Sequence, residues 1–222
     1  MPAFHAAVFQ GDKPRAVVNI GGIANVTLLP ARGSSEAVRG FDTGPGNTLL
    51  DAWCERHTGK PFDEGGAWSA GGAVSRRLMT GWLADEYFRR LPPKSTGREY
   101  FNLEWLDRAT KDLATWPEQD VQTTLAVLTA QTIADAVEHH QPDCDGIFVC
   151  GGGVFNHALM RAMGASVVPR VQSTATLGVD PMHVEALAFA WLARQCYASA
   201  PGNVPAVTGA KGLRILGAVY PA

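Results

Sequence analysis

The sequence has no long apolar segment, no strong excess of either charge and no run of basic residues. No apolar run approaches the roughly 20 residues that a membrane-spanning helix requires, and the start, MPAFHAAVFQGDKPR, lacks the basic-then-apolar order of a signal peptide. The 19 Lys and Arg residues and 21 Asp and Glu residues leave a formal net charge of -2. Such a chain offers no positive field to a nucleic-acid backbone. We therefore expect a cytoplasmic protein that binds neither a membrane nor a nucleic acid.

Cysteine is scarce, and the common nucleotide and hydrolase motifs are missing. The four cysteines, Cys54, Cys144, Cys150 and Cys196, lack CxxC spacing and lie in apolar or helical surroundings. This placement predicts buried thiols rather than disulfides or metal ligands. The sequence also contains no GxxxxGK[ST], GxSxG, HExxH or EF-hand pattern. It therefore gives no support to a P-loop NTPase, an α/β-hydrolase, a zinc protease or a calcium-binding hand.

Glycine, by contrast, is abundant and clustered. The chain has 24 glycines, and half of them lie in four groups: Gly21/Gly22, Gly40/Gly44/Gly46, Gly65/Gly66/Gly71/Gly72 and Gly151/Gly152/Gly153. A glycine turn between a strand and a helix lets backbone N–H groups approach phosphate oxygens, and the helix dipole adds attraction. Three groups are predicted at such turns, although a single glycine pair is more often a plain turn. The group at 65–72 has no predicted role.

Short β-prone segments alternate with helical ones along the chain. Residues 15–29 are predicted to form a hairpin around Gly21-Gly22, and a third strand over 37–41 is predicted to stop before Gly44-Pro45-Gly46. The remaining predicted elements are helices over 48–57, 74–91, from 103, from 121 to before Pro142, over 155–163 and over 181–197, and strands over 146–150 and 165–171. This order predicts an α/β fold whose mixed sheet begins with a β-hairpin.

Two carboxylates and one loop are candidates for chemistry. Asp42 lies at the predicted end of a strand, before a Thr-Gly-Pro-Gly turn, where a side chain projects into a crevice. A role in the turn or as a helix cap is the alternative. Glu185 lies in an otherwise apolar helix, so it is paired, faces a cavity or lies at an exposed edge. Lys94 and Arg98, in the KSTGRE loop, are candidates to bind an anion unless this is only a solvated loop.

The glycine triplet nearly matches a dinucleotide fingerprint. In Gly151-x-Gly153-x-x-Asn156, an asparagine replaces the last glycine, and the preceding strand lies late in the chain. The triplet by itself therefore leaves open a dinucleotide-binding domain, a phosphate-binding loop, and a loop that only allows close packing between helix and sheet.

Five motifs in order resemble the anhydro-N-acetylmuramic acid kinases. The motifs are NIGGIANVTLL (19–29), GFDTGPGN (40–47), PKSTGREYFN (93–102), CGGGVFN (150–156) and VEALAFAWLA (184–193), and the ending PGNVPAVTGA (201–210) fits as well. The resemblance covers nearly the whole chain. It implies an actin-like ATPase fold of the ribonuclease H-like type, with helices on both faces of the sheet. In the actin, sugar-kinase and heat-shock ATPase superfamily, two such domains close over a nucleotide.

The resemblance also implies roles for particular residues. Asp42 matches the family's catalytic aspartate, the base that activates water for attack on the anomeric carbon of 1,6-anhydro-N-acetylmuramic acid. The released 6-oxygen takes the γ-phosphoryl group of ATP, with Mg²⁺ bridging the phosphates. Glu185 resembles an acidic residue that lines the sugar pocket. The nucleotide-binding residues implied by the resemblance are Gly21, Gly22, Gly151, Gly152, Gly153 and Asn156.

One departure from the family is large. Family members begin with a phosphate loop similar to MSGTSLDG, followed by more than a hundred residues of N-terminal domain, and neither occurs in this chain. We therefore expect residues 1–222 to be a single C-terminal ATPase-like domain with little kinase activity alone. An N-terminal domain or a second polypeptide would supply the rest, and a homodimer is compatible with the family. A non-enzymatic remnant or interaction module, and another nucleotide-binding domain, are the alternatives.

Overall fold

A five-stranded mixed sheet is the centre of the fold. The computed structural model describes residues 1–220. Its strands are β1 (Arg15–Ile20), β2 (Ile23–Leu29), β3 (Arg39–Pro45), β4 (Gly146–Cys150) and β5 (Arg170–Ser173). They lie in the order β3-β2-β1-β4-β5, with β2 antiparallel to both β1 and β3 and with β4 parallel to β1 and β5. The predicted opening hairpin and the predicted strand over 146–150 are both confirmed.

Helices cover both faces of this sheet. The α-helices are α1 (Pro2–Phe9), α2 (Thr48–Thr58), α3 (Arg76–Leu83), α4 (Glu86–Arg89), α5 (Leu103–Ala109), α6 (Glu118–His140), α7 (His157–Ser166), α8 (Val184–Tyr197) and α9 (Pro205–Thr208). Short 3-10 turns lie at Glu64–Gly66, Ser69–Gly71, Leu113–Thr115, Gly152–Phe155 and Thr174–Leu177. Within residues 1–220, none of the helices combines the length and the apolar character needed to cross a membrane.

Helix α6 takes part in two separate apolar cores. Its C-terminal half, including Ile133 and Val137, packs with α7 against one face of the sheet. Its N-terminal half, including Val121 and Leu125, packs against α2, α3 and α5. The apolar residues recur at three- and four-residue steps, as an amphipathic helix requires. A third core, on the opposite face of the sheet, joins α1 and α8 to β1 and β4.

Several predicted boundaries are wrong, and backbone chemistry explains two of them. Strand β3 continues through Gly44 to Pro45, because β3 is an edge strand and a proline there breaks no ladder bond. Asp42 therefore lies inside a strand rather than at its end. The predicted helix over 74–91 is two helices, because Asp85 takes a non-helical conformation and caps α4 by accepting the Tyr87 N–H.

The errors in the second half of the chain are smaller. Helix α7 begins at His157, after Asn156 has capped it, and it continues to Ser166, so the next strand, β5, starts only at Arg170. Helix α8 begins at Val184, so Pro181 lies before the helix rather than in its first turn. Cys54 and Cys150 are buried as predicted, whereas Cys144 and Cys196 are partly exposed. All four are free thiols.

Candidate active site

The turn of the β1–β2 hairpin holds the start of α2. The carbonyl oxygen of Gly22 accepts the N–H groups of Gly46 and Thr48, at 2.9 and 3.0 Å. The carbonyl oxygen of Gly21 accepts the N–H of Asn47 at 2.8 Å. The first N–H groups of a helix have no acceptor inside the helix. The hairpin turn supplies carbonyl acceptors for two of them, those of Asn47 and Thr48. The glycine turn and the Gly44–Gly46 elbow are thereby fixed against each other.

Asp42 is held by three hydrogen bonds around its backbone and carboxylate. Its Oδ2 accepts the backbone N–H of Thr96 at 3.0 Å, and its own N–H donates to the Lys94 carbonyl at 3.2 Å. The Tyr87 hydroxyl donates to the Asp42 carbonyl at 2.7 Å. Burial raises the pKa of Asp42, and the Thr96 N–H partly offsets that rise because it stabilises the charged form. Within residues 1–220, the other carboxylate oxygen, Oδ1, accepts no hydrogen bond, so it remains available to a ligand.

Asp42 begins a row of polar side chains that crosses the sheet. A shift of register leaves Thr43 without a partner on β2, so that Asp42 pairs with Asn25. Asn25 pairs with Asn19 on β1, and Asn19 pairs with Cys150 on β4. Residues directly opposite each other share one face of a sheet. The row therefore lies on the face that α1 and α8 cover farther along the strands.

Sequence reasoning missed Asn19 and Asn25, although the sequence holds a signal for them. Each is three positions from Gly22, one before it and one after it. Residues at equal distances from a hairpin turn face each other across the two strands. The structure centres the register on Gly22, so Asn19 faces Asn25. A two-residue turn at Gly21-Gly22 would instead place Asn19 opposite Ala24, so the exact pairing needed the structure.

Two cavities open beside these residues. The first, of about 300 Å³, is lined by Asn25, Gly40, Asp42, Lys94 and Ser95, among others. The second, of about 370 Å³, lies between the start of α2 and the loop before α7. Phe62, Phe155 and Met182 line the second cavity, and each is 54 or 55% exposed. Asn47, Asp51, Gly152 and Asn156 add polar groups to the same wall. This combination suits a ligand with a flat apolar part and several hydrogen-bonding groups.

The three glycines of the triplet have different surroundings. Gly151 has a φ of +81°, and a Cβ there would lie 2.8 Å from the Ile20 carbonyl oxygen. A Cβ on Gly153 would overlap the Ile20 side chain. These two glycines therefore let the loop pack against the end of β1. Gly152 has open space, with Asn47 Nδ2 3.8 Å from the position of a Cβ, and it lines the second cavity.

Asn156 has a structural bond and a place in the cavity. Its Oδ1 accepts the Leu159 N–H at 3.0 Å, which caps α7. This bond leaves the Nδ2 group as the donor that the side chain offers to a ligand.

Glu185 is not among the residues that line either cavity. It is exposed, in the first turn of α8. Burial raises the pKa of Cys150 to about 12, and the Glu185 carboxylate contributes to that rise. Glu185 is therefore close to the far end of the polar row, at Cys150, and the structure does not bring it into the groove beside Asp42.

The KSTGRE loop lies between Asp42 and the hairpin turn. Lys94 lines the Asp42 groove, and its Nζ lies 4.8 Å from the centre of the Tyr87 ring. Burial, followed by the charge of Arg90, lowers the pKa of Lys94. Farther along the loop, the guanidinium of Arg98 rests on Gly22, where a Cβ would lie 2.6 Å from Nε. Sequence reasoning left the role of this loop open, and the structure places it beside two of the predicted site residues.

The described residues contain no obvious metal site. Within residues 1–220, no three side chains of His, Cys, Asp or Glu come close enough together to hold a metal ion.

Asp51, on the wall of the second cavity, has a shifted pKa. Burial raises the pKa of Asp51 to about 6, and the charge of nearby Arg98 acts in the opposite direction.

The matching family model and two curated relatives carry the same family name. A family model described as anhydro-N-acetylmuramic acid kinase matches residues 1–222. The anhydro-N-acetylmuramic acid kinase of Paraburkholderia xenovorans is 51% identical over 229 residues, which cover 100% of this chain and 60% of that protein. The enzyme of the same name from Cupriavidus metallidurans is 51% identical over 226 residues, 100% of this chain and 59% of that protein. The chain thus spans about 60% of the length of these relatives.

A solved structure shows the same fold. The activator of the 2-hydroxyisocaproyl-CoA dehydratase from Clostridium difficile, with bound ADPNP, aligns with a TM-score of 0.51 at 16% identity, covering 84% of this chain and 62% of that one. This likeness supports the predicted actin-like ATPase fold, with its mixed five-stranded sheet and helices on both faces. The match over residues 1–222 decides the family. By its sequence, the chain belongs to the anhydro-N-acetylmuramic acid kinase family.

Proposed function

We propose that this chain forms one part of an ATP-dependent kinase that acts on 1,6-anhydro-N-acetylmuramic acid. The enzyme would open the anhydro ring with water and phosphorylate the released 6-oxygen, giving N-acetylmuramic acid 6-phosphate during peptidoglycan recycling. The observation that carries the proposal is the Asp42 carboxylate, which keeps one oxygen free beside an open groove. Membership of the kinase family supports the assignment of the reaction.

Asp42 would be the general base. Its free Oδ1 accepts a proton from water while the water oxygen attacks the anomeric carbon, and the bond from that carbon to the 6-oxygen breaks. Burial raises the pKa of Asp42, which makes the carboxylate a stronger base than one in water. The Thr96 N–H and the Tyr87 hydroxyl keep Asp42 in place during the transfer. We expect turnover to fall as the pH falls through the raised pKa of Asp42.

The second cavity would hold the adenosine of ATP. Phe62, Phe155 and Met182 offer exposed apolar surface for a base, and Gly152 lets a ligand approach the backbone closely. From this cavity the phosphates would run toward Gly21 and Gly22. Gly151 and Gly153 would act mainly by fixing the shape of the wall. Asn156 would cap α7 and offer its Nδ2 group to the nucleotide. ATP, when bound, supplies the γ-phosphoryl group that the 6-oxygen takes, and ADP is the leaving group.

Mg²⁺, when bound with ATP, would be held mainly by phosphate oxygens and water and would neutralise phosphate charge. The ion commonly keeps several waters and binds through few protein groups, and the described residues offer no cluster of three ligands.

Asn25 and Asn19 would donate and accept hydrogen bonds with the sugar, because their amides lie in the same row as Asp42. Glu185 would contact the sugar at the other end of that row, a role carried over from the family.

We further propose that residues 1–222 are one domain of a two-domain cytoplasmic enzyme. The chain spans about 60% of its relatives, so an N-terminal domain or a second polypeptide would form the opposite wall of the cleft. Phosphoryl transfer depends on positioning from both sides. The chain alone is therefore expected to bind ATP weakly and to turn over little. A homodimer of the complete enzyme is compatible with this arrangement.

Complementation tests the proposed reaction. The chain is assayed with ATP, Mg²⁺ and 1,6-anhydro-N-acetylmuramic acid, alone and after addition of the N-terminal part of the Paraburkholderia xenovorans relative. We expect the 6-phosphate product only in the complemented sample. Asp42→Asn should abolish turnover and leave ATP binding intact, whereas Asp12→Asn, on an exposed turn, should leave turnover unchanged. Near-normal turnover with Asp42→Asn would refute the role of base.

Calorimetry with ATP and NAD separates the kinase from a dinucleotide-binding domain. The near-fingerprint at Gly151-x-Gly153-x-x-Asn156 is the feature that favours the latter. A clear preference for NAD would contradict the kinase assignment. Binding of neither nucleotide, together with no turnover after complementation, would favour the non-enzymatic module.

A further inference from the structure

The KSTGRE loop connects two parts of the site that lie on different strands. Thr96 donates its N–H to the Asp42 carboxylate on β3, at 3.0 Å. Two residues later, Arg98 lays its guanidinium on Gly22, at the turn between β1 and β2. Two residues of chain span about 7 Å at most. One short loop thus contacts both the carboxylate and the glycine turn.

The position of Arg98 depends on the absence of a side chain at Gly22. A Cβ on Gly22 would lie 2.6 Å from Nε and 2.8 Å from one terminal nitrogen of the guanidinium. A side chain at position 22 would therefore displace the guanidinium from the turn. Gly21 has open space, since the atom nearest to a Cβ there is 3.8 Å away, so the neighbouring half of the turn stays accessible.

The guanidinium of Arg98 forms no ion pair among residues 1–220. The Arg98 side chain is exposed. Asp51 is near enough for the two charges to interact, since the Arg98 charge partly offsets the rise that burial causes in the pKa of Asp51. No carboxylate of the described residues, however, comes within the 4 Å of an ion pair. A guanidinium presents up to five N–H donors in a planar fork, which matches phosphate oxygens well.

We infer that Arg98 binds the terminal phosphates of the nucleotide at the Gly21-Gly22 turn, a role that rests on the kinase function proposed above. The ligand class is a polyphosphate, held by the guanidinium together with the open side of the glycine turn. The same loop then fixes the base through Thr96 and the phosphate through Arg98. Arg98 is in this sense a catalytic residue, because it touches the group that is transferred.

The distances along the sheet suit this arrangement. Gly22 lies three residues from Asn25, about 10 Å along β2 at about 3.3 Å per residue, and Asn25 is paired with Asp42. Reacting atoms in near-attack geometry are about 3 to 3.5 Å apart. Three such contacts join base to water, water to the anomeric carbon, and the 6-oxygen to phosphorus. Together with one C–O bond these contacts span about 10 to 12 Å, which is comparable with the spacing between Gly22 and the strand position where Asn25 pairs with Asp42.

Inorganic tripolyphosphate tests the inference without the adenosine cavity. Tripolyphosphate is titrated into the isotopically labelled chain, and the amide signals of Gly21 and Gly22 and the Nε–H signal of Arg98 are followed by NMR. We expect saturable shifts of all three signals. Arg98→Gln should weaken the affinity about tenfold or more, because it removes a charge-assisted pair of hydrogen bonds. Arg98→Lys should recover part of the loss, since it keeps the charge without the fork.

Two further variants keep the test decisive. Arg108→Gln removes another exposed arginine, on α5, and should leave the affinity unchanged. Gly22→Ala keeps Arg98 but displaces its guanidinium, so it should weaken binding as well. The absence of glycine shifts in the unmodified chain would overturn the inference, and so would equal affinity in Arg98→Gln. If tripolyphosphate binds as expected while the complemented enzyme makes no sugar phosphate, the proposed reaction is wrong and the phosphate role of Arg98 stands.

Discussion

Asp51 gives the protein a stability that depends on pH, and the sign of the effect is fixed by its surroundings. Burial raises the pKa of Asp51 from 3.8 to about 6, against the opposing charge of Arg98. The folded state therefore holds the proton more tightly than the unfolded state does. Stability from this group is fully present below the unfolded pKa, and it is lost as the pH rises toward 6. Asp51→Asn removes this titration from the folded protein.

The size of the effect follows from the shift. A change of about 2 pKa units corresponds to about 3 kcal/mol at full strength, and partial solvent exposure of Asp51 reduces it to roughly 1 to 1.5 kcal/mol. We expect the unfolding free energy of Asp51→Asn, minus that of the unmodified chain, to grow by this amount between pH 4 and pH 7. Contributions that do not depend on pH, such as a changed helix-dipole interaction, cancel in the comparison.

Urea unfolding at several pH values measures this difference. With a typical slope of about 2 to 3 kcal/mol per molar urea, the gap between the two midpoints should widen by about 0.5 M from pH 4 to pH 7. Asp12→Asn removes the same charge from an exposed turn and is the matched control. Parallel pH profiles for Asp51→Asn and the unmodified chain would show that burial does not destabilise the Asp51 carboxylate. A gap that narrows with pH would reverse the sign and refute the reasoning.

Three further substitutions test the packing around the site, each by urea unfolding. Tyr87→Phe removes the hydroxyl that donates to the Asp42 carbonyl, and we expect a loss of about 1 kcal/mol with a shifted Thr43 amide signal, because the Thr43 N–H shares a peptide group with that carbonyl; an unchanged signal would contradict the contact. Gly151→Ala forces a side chain into a left-handed backbone conformation against Ile20 and should cost about 2 kcal/mol or more; a neutral result would contradict that packing. Trp82→Ala empties a buried site and should cost about 3 to 5 kcal/mol; a loss below 1 kcal/mol would contradict its burial.

The hairpin, the buried strand β4 and the long helix α6 could all be predicted because local pattern and tertiary role agree there. The β-branched residues around Gly21-Gly22 favour strands that the sheet then pairs. The apolar spacing in α6 matches the two cores that its faces meet. In these segments, propensity and burial point to one structure.

The extent of β3 could not be predicted from local pattern. Gly44 and Pro45 are poor strand residues, and they stay in β3 because the strand lies at the sheet edge and its end is held by tertiary bonds. The Thr129 hydroxyl, from the middle of α6, donates to the Pro45 carbonyl at 3.0 Å. A contact between residues 84 positions apart leaves no local trace in the sequence.

The contacts of the candidate site could be predicted only in part, for the same reason. Asp42 was predicted from its place near a turn, whereas the partners that hold it, Thr96 and Tyr87, come from a loop and a helix about 50 residues away. The loop was recognised as a candidate for binding an anion. Only the folded chain shows that Arg98 reaches Gly22 and that Glu185 is not among the residues that line the Asp42 groove.

Helix α6 has a consequence for how the domain loses its structure. The C-terminal half of α6 packs in the core between the sheet and α7, and its N-terminal half packs in the core with α2, α3 and α5. Neither core can open without disturbing a helix that the other core needs. The Thr129 hydroxyl, near the middle of the helix, also donates to the carbonyl oxygens of Pro45 and Gly46 in the Gly44–Gly46 elbow. Opening of either core would therefore displace α6, and with it the elbow that follows Asp42. The domain should therefore unfold as one cooperative unit, in which the candidate base is lost together with the cores rather than before them.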